Sequence, residues 1–117
     1  MLLPLAAMAD TFDDVVNNIK LSNIEVLSKY FNNNIELTLL DNEGVYSKSQ
    51  AELMLKNFLA KYPAKTVDIQ HRGSSAQGAK YAISNYETAS GVKLRLYIFM
   101  KDSGKGLMIH ELRFEKE

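Results

Sequence analysis

The sequence predicts an α+β fold: three helices on one face of a curved antiparallel sheet, in the order α-α-β-β-α-β-β-β-β. Three observations carry this. Apolar residues recur at helical spacing from Phe12 to Phe31 and again from Ala51 to Tyr62. After Pro63 only strand signals follow, in four runs parted by short clusters of glycine and serine. The composition, 46% hydrophobic and 24% charged over 117 residues with no cysteine, supplies one core that needs no disulfide.

Taken in order, Phe12, Val15, Val16 and Ile19 fall at i, i+3, i+4 and i+7 and define the buried stripe of a first helix. Asp13 and Asp14 sit in its first turn, where the helix dipole favours negative charge. Ile24, Leu27 and Phe31 mark a second short helix, stopped by Asn32-Asn33-Asn34. Residues 35–40 alternate as a strand, 41–44 read as a turn, and Val45-Tyr46 returns. Ser49-Gln50-Ala51-Glu52 has the form of a capping box. Behind it Ala51, Met54, Leu55, Phe58 and Tyr62 line the third helix, which Pro63 ends. Residues 65–72, 79–89, 92–101 and 106–115 then form an antiparallel meander. Ser103-Gly104-Lys105-Gly106 opens no helix, so it is a hairpin turn and not a phosphate loop.

The formal net charge is zero. That excludes the basic footprint a nucleic-acid binder needs, and no run is long and apolar enough to span a membrane. Met1 to Ala9 is apolar and ends in Ala7-Met8-Ala9, the small-x-small pattern of an export cleavage site. Residues 1–9 are therefore expected to be the remnant of an export signal, and residues 10–117 a single domain of an exported, periplasmic or secreted, protein.

Four stretches carry a closer likeness: Tyr46-Ser47-Lys48-Ser49-Gln50-Ala51, His71-Arg72-Gly73-Ser74-Ser75, Tyr81-Ala82-Ile83 and Arg95-Leu96-Tyr97. Together they resemble the signature of a family of small exported bacterial proteins without an assigned function. That family lies within the nuclear transport factor 2-like superfamily of cystatin-like cones, whose element order this chain resembles over residues 10–117. The resemblance implies export and the cone fold, and carries over no catalytic residue. Where the family pattern places a glycine after tyrosine-x-isoleucine, this chain has Ser84.

His71 is the main candidate for chemistry. Alternation with Val67 and Ile69 turns it toward the helices, just before a small-residue turn. It is expected to be buried and satisfied by Ser74 or the neighbouring backbone, or else to serve as the acid/base of a ligand pocket. Tyr81 and Tyr46 would add hydroxyl donors to such a pocket, and Gln50 an amide at the start of the third helix. No catalytic residue is assigned beyond that candidate. His110, the second histidine, gives no third metal ligand, and neither a metal nor another cofactor is expected.

The opposite sheet face should be polar. A two-residue turn at Ser90-Gly91 would pair Tyr86 with Arg95. A three-residue loop at 103–105 would pair Tyr97 with Glu111 and Phe99 with Ile109. Tyr86, Arg95, Tyr97, Phe99 and Ile109 then form an outward band suited to a homodimer interface.

The leading functional reading is an exported, non-enzymatic domain that binds a small apolar ligand or a protein partner. The alternatives are an isomerase or dehydratase using His71, and a dimerisation scaffold without ligand. A roomy cone reaching His71 would favour the enzyme, and a cone filled by Phe58, Leu94, Leu96 and Phe114 the scaffold.

Overall fold

The structure, a computed structural model, describes residues 11–117 except Ser103 and Lys105. The Ala7-Met8-Ala9 motif lies outside the described residues, as do two of the three residues of the last hairpin loop. Helix α1 (Thr11–Lys20) buries Phe12, Val15, Val16 and Ile19, the four positions its periodicity selects. Helix α2 (Ile24–Leu27) continues into a 3-10 turn (Ser28–Tyr30) that leads directly into β1 (Phe31–Leu39). The three asparagines are thus strand and not a helix stop. Strand β2 (Asn42–Ser47) feeds α3 (Lys48–Lys61), and β3 (Ala64–Ser74), β4 (Lys80–Thr88), β5 (Lys93–Asp102) and β6 (Leu107–Lys116) complete the sheet.

The helix α3 cap falls two residues earlier than the sequence reading placed it. Ser47 Oγ accepts from the Gln50 N–H at 3.3 Å, and Gln50 Oε1 accepts from the Ser47 N–H at 3.2 Å. Two overlapping boxes are written in the sequence, and the chain uses the first because β2 runs straight into the helix.

The sheet order is β2-β1-β6-β5-β4-β3. Every pairing is antiparallel except β1 with β6, which is parallel. Helices α1 and α3 pack against the sheet, and the centre of its inner face is mostly apolar: Leu94, Leu96, Ile98, Met100, Leu112 and Phe114 are fully buried. Phe114 anchors the cone, with ring centroids 4.8 Å from Phe58 and 5.4 Å, edge-on, from Tyr86. Burying each such side chain contributes roughly 1.5–3 kcal/mol. Among the described residues no helix is long and apolar enough to cross a membrane.

Two residues expected on the outer face are core. The β4–β5 connection is four residues long, with the Thr88 N–H donating to Val92 O and the Gly91 N–H to Thr88 O. Tyr86 therefore pairs with Leu94 instead of Arg95, and a one-residue slip reverses the face of every side chain. Tyr86 is 1% exposed and donates its hydroxyl to the Tyr62 carbonyl, and burial pushes its phenol up to about 12. Between Phe99 and Met100 the β5–β6 register shifts: Phe99 pairs with Glu111 and Met100 with Ile109. His110 is the extra residue of this bulge, and Ile109 turns fully into the core.

The β1–β2 turn is also tighter than expected. Leu39 pairs with Asn42, leaving only Leu40 and Asp41 in the loop. Leu40 adopts φ +59°, a left-handed conformation that costs a non-glycine residue roughly 1–2 kcal/mol. Its N–H donates to the Phe114 carbonyl at 2.8 Å, tying the turn to the sheet.

Candidate functional site

His71 is exposed, contrary to the burial its alternation predicts. The β3–β4 register shifts between Ile69 and His71, so Ile69 opposes Ser84 while His71 opposes Ile83. Gln70 is the inserted residue, and it carries His71 onto the face away from the helices. Arg72 takes the inward parity instead and pairs with Asp13 of α1 at 2.8 Å.

On that outer face the side chains form a chain of contacts across four strands. His71 Nε2 lies 3.3 Å from the Tyr81 hydroxyl. The Tyr81 and Tyr97 rings are stacked, with centroids 6.2 Å apart at 25°. The Arg113 guanidinium covers Tyr97 at 4.5 Å from its centroid, a cation–π contact. Arg113 Nε is 3.4 Å from Glu111 Oε2, an ion pair without a hydrogen bond. Gly73 makes the row possible: a Cβ there would overlap the Tyr81 ring, which lies directly across the strand.

Beside this row is a trough of about 540 Å³. Phe99 lies in it, Glu36 and Val45 line one side, and Gln77 and Ala79 the other. His110 and Glu111 sit between. Burial pushes the Glu111 carboxyl above its ordinary range; Arg113 opposes this, and the crowding of Glu36, Glu43 and Glu115 reinforces it. Burial, then Lys101, lowers the His110 imidazole. His110 Nε2 has no hydrogen-bond partner among the described residues. Burial raises the Tyr97 phenol, and Glu111 raises it further.

The structure separates the other pocket candidates. His71 and Tyr81 meet, but on the outer face. Ser74 is exposed near the end of β3, opposite Lys80. Tyr46 lies on β2, at the other edge of the sheet, with its ring over Gly44. Gln50 is committed to the α3 cap. Phe58, Leu94, Leu96 and Phe114 fill the cone. Arg95, Tyr97 and Phe99 do lie on the outer face, alternating with buried Leu94, Leu96 and Ile98. Tyr81 joins them, beside Glu111 and Arg113, which the alternation of β6 already put on this face. The signal for that grouping was present as parity, but only the true register reveals it.

A six-stranded mixed sheet curled around three helices is the fold of nuclear transport factor 2-like proteins. A protein described as Rd1NTF2_04 with long sheet superposes with a TM-score of 0.67 at 17% identity, covering 89% of this chain and 96% of its own. The family model described as "Domain of unknown function (DUF4783)" matches residues 12–115, and the chain belongs to that family. It is similar to DUF4783 family proteins from Bacteroides ovatus (22% identity, TM-score 0.80, covering 88% of this chain and 92% of that one) and from Bacteroides uniformis (21%, 0.80, 88% and 94%). No curated protein matches it.

Proposed function

We propose that this protein is an exported, non-enzymatic binding domain whose outer sheet face docks against a second copy of the chain. One observation carries the reading: Tyr81, Tyr97 and Phe99 form a half-buried aromatic band on the sheet face the helices leave uncovered. Such a band on a soluble domain is a contact surface. In a two-fold dimer each band meets its own copy, and the neighbouring Glu111 and Arg113 offer opposite charges for reciprocal pairing. Export is supported by Ala7-Met8-Ala9 in front of Asp10.

Sedimentation velocity across the micromolar range tests the association. The wild-type chain is expected to sediment as a dimer. Phe99→Asp is expected to give a folded monomer, because docking would bury an unpaired carboxylate at the centre of the interface. A monomeric wild type, or a dimeric Phe99→Asp variant, would remove the proposal.

A further inference from the structure

We propose that the cavity between α3 and the β1–β2 turn is a binding site for a small, uncharged, apolar molecule. The site is separate from the outer sheet face and does not rest on the association proposed above. Its volume is about 420 Å³, within the roughly 300–1,000 Å³ of small-molecule sites. Leu39, Leu40, Met54, Phe58 and Tyr62 give it an apolar wall. The Phe58 and Tyr62 rings pack at 4.9 Å and form one rigid side. Met54 forms an adaptable side, since an unbranched thioether reshapes around different ligands.

Leu40 is the second, independent observation. The first position of a two-residue hairpin turn with positive φ is ordinarily glycine. Here a leucine holds φ +59° and its half-buried side chain lines the cavity. Backbone strain of this kind gathers at ligand sites, where a side chain is needed in spite of its backbone cost. Glycine would relax the turn and remove the wall.

The charges at the mouth define the ligand class. Lys61 lies 5.5 Å from the Tyr62 centroid, held over that ring. Asp41, which also lines the site, carries the opposite sign, and α3 presents its negative C-terminal end there. Asp41 and the helix end share a negative sign and repel an anion, while Lys61 already supplies their cation, so an ionic ligand of either sign gains little. The Asn57 and Asn42 amides, also at the cavity, leave room for one hydroxyl or carbonyl on the ligand.

The test is titration of the whole chain with 1-octanol and with octanoate, followed by carbon-edited NMR of the methionine and leucine methyls. Octanol is expected to shift the Met54 and Leu40 methyls saturably while leaving those of Met100 in place. Octanoate is expected to bind more weakly. Met54→Trp, which fills the cavity, should abolish the Leu40 response with no loss of melting temperature. Leu40→Gly should weaken octanol binding about ten-fold, as loss of a leucine contact implies, while the melting temperature holds or rises. The Phe99→Asp variant should bind as the wild type does, which keeps this result apart from the association. Absence of a saturable shift, an undiminished response in Met54→Trp, or tighter binding of octanoate than of octanol would overturn the assignment.

Discussion

Ser84 is fully buried on the inner face, between Ile69 on β3 and Leu96 on β5, and its Oγ has no hydrogen-bond partner among the described residues. A buried hydroxyl left unpaired costs on the order of 1–3 kcal/mol. Ser84→Ala is therefore expected to raise unfolding stability by about 1 kcal/mol in a urea titration; a loss of stability would mean that the hydroxyl has a partner after all. Glu111 gives a pH-dependent counterpart. Its folded-state carboxyl titrates above the ordinary range because it is buried and crowded. The native state then holds its proton to higher pH than the unfolded chain, so this group's contribution falls as pH rises through that window. Its neighbour His110 has the opposite sign: its imidazole is lowered, so stability drops as pH falls below the ordinary histidine value. Comparing Glu111→Gln with the wild type separates the two. The variant should gain most at neutral pH and converge with the wild type below the ordinary carboxylate range, about pH 4. A constant difference in melting temperature across pH would contradict this. At this scale residue identities were legible but the directions of two key side chains were not. His71 and Ile109 each lie beside an inserted residue, and a bulge leaves no mark in an apolar alternation.

Among the elements, α1 and α3 were plain in the sequence because their buried stripes keep helical period with few exceptions. The start of α3 was harder, since Ser47-x-x-Gln50 and Ser49-x-x-Glu52 both satisfy the same local chemistry. The structure separates them, and mutation can as well. Ser47→Ala is expected to cost about 1 kcal/mol, the usual loss for an N-cap. Ser49→Ala, at the second residue of the helix, should change stability by less than about 0.5 kcal/mol. Equal effects in a thermal melt would assign the cap to neither. Strand boundaries were legible to within a few residues, whereas hairpin register was not. The β4–β5 connection has a Ser-Gly pair suited to a two-residue turn, yet the chain spends four residues there, held by Thr88 Oγ1 accepting from the Val92 N–H at 2.9 Å. That one difference moved Tyr86 from an expected interface into the core.

For the molecule as a whole, the class and the element order followed from periodicity and punctuation, but neither contains the pairing of β1 with β6. Nothing local in either strand announces the other as its neighbour. The candidate site was blurred by a different cause, the register of the β3–β6 meander. The outer band was partly visible, with Tyr97 and Phe99 edged by Arg95, Glu111 and Arg113, but the bulges beside His71 and Ile109 exchanged some of its members. The proposed export has its own test at this scale. Chain recovered from outside the cytoplasm of its native host should begin near Asp10 on N-terminal sequencing. Intact Met1 in the cytosolic fraction would rule out that leader.

The place of β6 has a consequence for synthesis. It is the last strand in chain order and the only one that joins the β1–β2 hairpin to the β3–β4–β5 meander. While the ribosome is still making residues before Leu107, the nascent chain can hold two separate sheets, each with an open edge that later becomes interior. The two halves must wait side by side, and no amount of early helix formation closes the gap. Until the ten-residue β6 fills the slot between them, those two edges stay unpaired and open to pairing with other chains.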